Sequence, residues 1–312
     1  MPISKCVPGA GLLLVCLSVC GCAANGGANV TPAHDNMDAV VWLQSSAEYA
    51  AVTTGTYAAA TAELRQLVAA NPAAVATMAV VLDVDETVLD NSRYQGQAVL
   101  DDSTYKSETW DQWIALRAAS AVPGAVDFIK TSQSLGVHVA LITNRRCRIR
   151  TGAAETCPQK RDTAVNLAEL GIDVDAGTLF LRGETPPERC RALLSASEKA
   201  EGTWSSDKTS RRGCVSLDRE IVMLFGDQLG DFTEVSVERP GASGPEMAAD
   251  YAEYWGRSWF MLPNPTYGGW RPNDAASKRR LVRGIQRRLL VMRGLAEQLL
   301  VGGRRVVAGA AA

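Results

Sequence analysis

Histidine is almost missing from this chain: two in 312 residues, His34 and His138. Hydrolases that work through a phosphohistidine and a second histidine need both, yet His34 falls in an N-terminal linker and His138 in an apolar strand. The same scarcity excludes His-rich dimetal sites and leaves a Ser-His-Asp triad only His138 to rest on. Charge imbalance is absent too. A formal net charge of −2 with 21% charged residues creates no global field of the kind that gathers nucleic acid. The eight cysteines include no C-x-x-C pair and no neighbouring histidine, which argues against a zinc site. No apolar run approaches the roughly 20 residues of a membrane-spanning helix, and no internal repeat is evident. The length allows one large domain or two modest ones with a real core.

What is present begins with a targeting segment. Lys5 supplies a positive start, Gly11–Val19 an apolar centre, and small residues follow. The end of it, "LSVCGCAANGG", resembles the bacterial lipobox, with Cys22 as the lipidated first residue of the mature chain. Cys20 is the alternative, after a poorer cleavage residue, and an ordinary cleaved secretory signal is the other reading. Ala23 lacks the charge of an inner-membrane retention signal, which points to the outer membrane. Gly, Ala and Asn after Cys22 make a flexible tether. Cys6, Cys16 and Cys20 leave with the signal and Cys22 takes the lipid. The four that remain, Cys147, Cys157, Cys190 and Cys214, suit an oxidising compartment. Three connectivities are open to them; the local pairs Cys147–Cys157 and Cys190–Cys214 are expected.

An Ala-rich stretch from Asp35 to Ala70 reads as one or two helices, interrupted at "TTGT" and stopped at Asn71-Pro72. Four short apolar runs follow as strands: Met78–Val84, Val137–Thr143, Thr178–Leu181 and Ile221–Phe225. Between them lie a helix opened by Pro123-Gly124 and closed by Gly136, and a polar helix around Asp162–Leu170 that ends at Gly171. Continuous apolar strands alternating with helices predict an α/β fold, a parallel sheet covered on both faces. A long C-terminal helix is expected over Asp274–Leu300. Its basic face reads as a solvated surface or as a nucleic-acid or membrane contact, the former preferred for its apolar stripe.

Chemistry gathers at the strand ends. "VVLDVDETVLD" packs Asp83, Asp85 and Glu86 against an apolar run, a costly burial unless charge is compensated. Thr143 and Asn144 close the second strand, and Asp227 and Asp231 follow the fourth in "GDQLGDF". In an open parallel sheet these ends face one crevice. A hard divalent cation with oxygen ligands, Mg²⁺ by the absence of His and Cys, would neutralise the carboxylates.

"DVDET" resembles the nucleophile motif D-x-D-x-[TV] of the haloacid dehalogenase (HAD) superfamily. "LITNR" resembles its second motif, Lys208 in "SSDKTSRR" its third and "GDQLGDF" its acidic fourth, in that order. More narrowly, "DVDETVLDNSRYQ", "AVPGAVDF", "LITNR", "FGDQLGDF" and "FMLPNPTYGGW" are similar to the bacterial class C acid phosphatases, the outer-membrane lipoprotein e type of HAD subfamily IIIB. The resemblance implies a Rossmann-like HAD core with a small helical domain from both chain ends. Its divisions would be a signal peptide (1–21), a tether (22–34), a helical segment (35–76), the core (77–272), a C-terminal helix on that segment (273–300) and a disordered tail (301–312).

It also implies Mg²⁺-dependent hydrolysis of phosphomonoesters, often nucleoside monophosphates. Asp83 would be the nucleophile and Asp85 the general acid–base. Thr143 and Lys208 would hold the phosphoryl oxygens. Asp83, the Asp85 carbonyl and Asp227 would bind metal, with Asp231 in support. Trp110 and Tyr267 would stack the substrate base; Trp113 and Trp270 read as structural. Asn144 reads equally as a phosphate contact or a loop cap. Asp85 argues against dehalogenation, since a halide leaves unprotonated. The run Gly183–Ser206 is longer than the family link and could form a flap over the site; it leaves Lys199 as a second candidate for Lys208's place. Partners are then a small phosphomonoester and a membrane reached through a lipid anchor, with no nucleic-acid polymer and a homodimer left open. Runner-up readings are a phosphotransferase and a non-catalytic envelope lipoprotein of the same fold.

Overall fold

The sheet is built around β1 (Met78–Leu82), whose five residues are all buried. A computed structural model of the chain describes residues 34–175, 177–233, 245–272 and 274–278. The signal, the tether with Cys22, the tail and nearly all of the expected C-terminal helix lie outside them; the described part of that helix, 275–278, is helical. Two two-residue strands, β2 (Leu89–Asp90) and β3 (Ser120–Ala121), pair antiparallel beside the main sheet. β4 (His138–Arg146), β5 (Leu179–Arg182), β6 (Glu220–Gly226) and β7 (Trp259–Met261) join β1 in a five-stranded sheet of order β5-β4-β1-β6-β7. Every pairing in it is parallel. The four expected strands are present with ends shifted by a residue or more, and β7 is a fifth that the sequence reading did not assign.

Strand alternation divides the core in two. Val80 and Leu82 of β1 pack with Tyr57, Phe128, Ile129 and Phe225 on one face. Ala79 and Val81 pack with Trp204, Cys190, Cys214 and Phe232 on the other. Each large apolar side chain so buried contributes about 1.5–3 kcal/mol.

The N-terminal helices are α1 (Met37–Ser45) and α2 (Ala47–Ala70). The break lies at Ser46, not at "TTGT". Ser46 is extended, and its side chain accepts from the Tyr49 amide, an N-cap that starts a new helix. The TTGT run stays helical because Thr53 and Thr56 turn their hydroxyls onto the Tyr49 and Val52 carbonyls, and Gly55 faces open space. Tyr49, Thr53, Tyr57, Ala60 and Leu64 form the buried stripe of α2, and the Tyr57 hydroxyl donates to the Thr87 carbonyl at 2.7 Å.

Next come α3 (Ser92–Leu100), α4 (Ser107–Leu116), α5 (Ala125–Ser134), α6 (Pro158–Glu169), α7 (Ala196–Glu201) and α8 (Thr209–Ser216). Gly124 and Gly136 flank α5 at φ +92° and +82°, the left-handed region that glycine enters without penalty. The disulfides are Cys147–Cys157 and Cys190–Cys214. Lys278 Nζ reaches Asp35 Oδ2 at 2.8 Å, joining the start of the C-terminal segment to the 3-10 turn that precedes α1. Among the described residues no helix is long and apolar enough to cross a membrane.

The 183–206 run is not a flap. Cys190, Leu194 and Trp204 are buried in the second core. Glu198, 1% exposed, accepts from the Ser195 and Ser205 amides and from the Ser205 and Ser210 hydroxyls. This run braces the segment that leads to Lys208.

Candidate active site

β1 delivers Asp83 to the carboxyl end of the sheet, where its amide donates to the Phe225 carbonyl at 3.0 Å. The chain then turns sharply. Glu86 holds φ +57°, a conformation that costs a non-glycine residue about 1–2 kcal/mol. The Asn91 amide and the Tyr267 hydroxyl both donate to its carboxylate and hold it in place.

Asp83, Asp227 and Asp231 are all buried, and one oxygen from each lies within 4.8 Å of the others. Lys208 Nζ, 6% exposed, bonds both Asp83 Oδ1 and Asp231 Oδ1. Lys199, the other candidate, is exposed on α7. The close approach of Asp231 depends on Gly226. A Cβ there would lie 2.2 Å from the Asp231 Cβ and Oδ2. The Gln228 amide donates to Asp231 Oδ2, and the Gln228 and Asn264 side chains both donate to Asp227 Oδ2 at 2.7 Å. Asn264 Oδ1 in turn accepts from the Thr266 and Tyr267 amides, so the segment carrying Tyr267 is tied to Asp227.

One ammonium does not balance three carboxylates. Burial first, then Asp231 and Asp227, push Asp83 well above the usual carboxylate range, against the pull of Lys208. Burial and Asp231 raise Asp227 to about 7. Burial alone would depress Lys208, but Asp231 and Asp83 outweigh it and raise its pKa. Three converging hard oxygens carrying excess negative charge fit a divalent cation, which would relieve that charge.

Asp85 stands apart from this cluster. Its carboxylate accepts from Asn91 Nδ2 (3.0 Å), Thr143 Oγ1 (3.2 Å) and Arg145 Nε (2.9 Å). β4 runs on past Thr143, and its period of two turns Thr143 and Arg145 inward while Asn144 is exposed. Thr143's hydroxyl, expected on a phosphoryl oxygen, is thus engaged with Asp85 and with the Arg145 amide.

Arg145 was not singled out from the sequence. It is 2% exposed, donates to Thr163 and Asn91 as well as Asp85, and lies 5.7 Å from the Trp110 ring centroid. Arg211 was also missed. It is fully buried and donates to the Thr143, Ser205 and Asp207 carbonyls and to Asn144 Oδ1. It therefore locks the Lys208 segment onto β4; burial lowers its pKa to about 10.

A cavity of about 360 Å³ opens over Asp83, Asp85, Asn144, Lys208, Asp227 and Asp231. A second of about 730 Å³ shares Asp85, Asn144 and Tyr267 with it and extends past Trp110. Trp110 packs edge-on against Tyr94 at 4.9 Å. Trp113 donates to Asn91 Oδ1 and so supports Asp85's neighbour. Trp270 is half exposed and donates to the Tyr267 carbonyl. His138 stands at the amino end of β4, away from this site.

Parallel strands sandwiched between helices, with carboxylates, a lysine and a threonine at their carboxyl ends, define a HAD-type enzyme of phosphate esters. The model of the HAD superfamily, subfamily IIIB (acid phosphatase), matches residues 22–270. The class C acid phosphatase of Bacillus anthracis is similar in structure, with a TM-score of 0.63 and 27% identity over 82% of this chain and 97% of that one. Its tungstate-bound form gives 0.62 and 28%, over 81% and 96%. The chain belongs to the HAD subfamily IIIB acid phosphatases and is a phosphomonoesterase.

Proposed function

We propose that this phosphatase hydrolyses nucleoside 5′-monophosphates and similar esters through an aspartyl-phosphate on Asp83, at the bacterial envelope. The observation that carries the reading is one carboxylate, Asp83, buried against Lys208, with a second, Asp85, two residues on and at the mouth of an aromatic groove.

Asp83 attacks phosphorus, and the ester oxygen leaves as the Asp83 O–P bond forms. Asp85 donates its proton to that oxygen, then takes one from the water that cleaves the acyl phosphate. Lys208 offsets the repulsion between Asp83 and an incoming dianion and holds a phosphoryl oxygen. Thr143 orients Asp85 through its 3.2 Å hydrogen bond, and Asn144 offers an amide to the phosphate. Asp83, Asp227 and Asp231, with the Asp85 carbonyl, would hold Mg²⁺, which when bound neutralises charge on the carboxylates and the phosphoryl oxygens. Trp110 and Tyr267 would receive the base, a sequence-tolerant contact of about 1–3 kcal/mol. Export and a lipid on Cys22 would tether the enzyme at the outer membrane, where external phosphate esters arrive.

The test is phosphate release by the form beginning just after Cys22, on nucleoside monophosphates and p-nitrophenyl phosphate, with Mg²⁺ or EDTA, beside Asp83→Asn. Activity that needs the cation and vanishes in Asp83→Asn is expected. Trp110→Ala should raise KM for the nucleotides more than for p-nitrophenyl phosphate. No release from folded protein on any nucleotide would overturn the substrate reading. Loss of palmitate labelling in Cys22→Ser tests the anchor.

A further inference from the structure

Three guanidinium groups line the larger groove, and two of them are committed. Arg145 is held by Asp85, Thr163 and Asn91. Arg271 donates to Asn36 Oδ1 and to the Thr266 carbonyl. Arg182, the last residue of β5, is half buried in the same groove, and among the described residues its side chain has no hydrogen-bond acceptor and no carboxylate partner. Glu184, two residues on, is taken by Lys160 and by the Leu181 amide.

Its position is well defined. Across the sheet it pairs with Arg146, and its carbonyl accepts from the Cys147 amide at 2.7 Å, at the residue where the Cys147–Cys157 bridge begins. Arg182 lines the same groove as Tyr105 and Trp110, whose rings lie 6.3 Å apart. A guanidinium on a fixed strand end, without a carboxylate partner among the described residues and lining an aromatic-walled groove, is a fork for a phosphate or a carboxylate.

We propose that Arg182 forms an anion subsite for a second negative group on the leaving group, so that favoured substrates are ring-bearing phosphomonoesters with an additional phosphate or carboxylate. The proposal rests on the reading of this groove as the leaving-group site. The charge of Arg182 offsets the repulsion that the carboxylates of the reaction centre exert on a second anion in this groove.

The experiment compares kcat/KM within two matched pairs, adenosine 3′,5′-bisphosphate against adenosine 5′-monophosphate and orotidine 5′-monophosphate against uridine 5′-monophosphate. The first pair adds a phosphate on the sugar, the second a carboxylate on the ring. The wild-type enzyme should favour the more anionic member of at least one pair, which shows where the subsite lies. In Arg182→Met that ratio should fall about tenfold, the low end for a hydrogen bond between charged groups at a half-exposed position. Arg182→Lys should restore part of it, and raised ionic strength should erode it. Circular dichroism and a thermal melt report whether each variant folds. Ratios of one or less in both pairs, or a ratio unmoved by Arg182→Met, overturn the subsite. If neither parent nucleotide is hydrolysed while p-nitrophenyl phosphate is, the nucleotide reading fails and the subsite falls with it.

Discussion

Replacing Arg145 tests whether the environment of Asp85 is functional. Arg145→Met keeps an unbranched stem and removes the charge. The variant loses the 2.8 Å ion pair to Asp85 and the hydrogen bonds to Thr163 and Asn91. Breaking a fully buried pair costs about 3–5 kcal/mol. Asp85 retains Asn91 and Thr143 as donors and its side chain is 13% exposed, so the lower end applies. A loss of ~3 kcal/mol should lower Tm by about 6–12 °C in a domain of this size.

The effect on rate separates roles. A general acid is worth about 10²–10⁴-fold, and its misplacement by an ångström costs about 10²-fold. An alkoxide needs the proton, whereas p-nitrophenolate leaves without it. In Arg145→Met, kcat/KM for ethyl phosphate should therefore fall about 100-fold and for p-nitrophenyl phosphate less than tenfold, on the scale of a lost proton donor. Arg145→Lys should fold better and show the same pattern in weaker form. Equal losses on the two esters in folded protein would refute the argument and leave Arg145 a purely structural residue.

Two further predictions follow from single contacts. Gly226→Ala places a Cβ on Asp231; overpacking of this kind costs about 1–3 kcal/mol, and activity should fall ~100-fold with the carboxylate displaced. A cation titration followed by thermal shift should weaken in parallel, and unchanged cation affinity would disprove the link. Burial opposes ionisation of Glu198, but hydrogen bonds from Ser210, Ser205 and Ser195 outweigh it and lower its pKa. The folded protein then binds fewer protons than the unfolded chain, so this stabilisation is complete above the unfolded glutamate value of about 4.3 and is lost as pH falls through the lower folded one. Melting curves from pH 7 to pH 3 should drop below about that value and be shallower for Glu198→Gln; parallel curves would remove Glu198 from the explanation.

The strands with continuous apolar runs were legible because burial on both faces leaves an unbroken hydrophobic signature, as in "MAVVL". β7 was not, since three residues with only Phe260 fully buried carry no period. Composition misled at "TTGT", where threonine hydroxyls satisfy their own helix, while the real break rested on a single serine cap. The run Gly183–Ser206 offered a flap by its length alone, and its core role was not legible because its apolar anchors, Cys190, Leu194 and Trp204, are widely spaced among polar residues. At the site, Asp83, Lys208 and the pair Asp227 and Asp231 converge from three segments and could be named through motif order. Arg145 and Arg211 could not, because a lone arginine reads as surface until its acceptors are known. The pairing of Asp85 with Arg145 likewise exists only once β1 and β4 lie side by side.

The most direct measurement is chemical trapping of the covalent intermediate. Enzyme quenched during turnover is treated with borohydride, which reduces an aspartyl phosphate to homoserine, and the modified residue is located by peptide mass spectrometry. Homoserine at position 83, formed only with substrate present, is the predicted result. Modification at a different carboxylate, or none while phosphate is being released, would contradict Asp83 as the nucleophile.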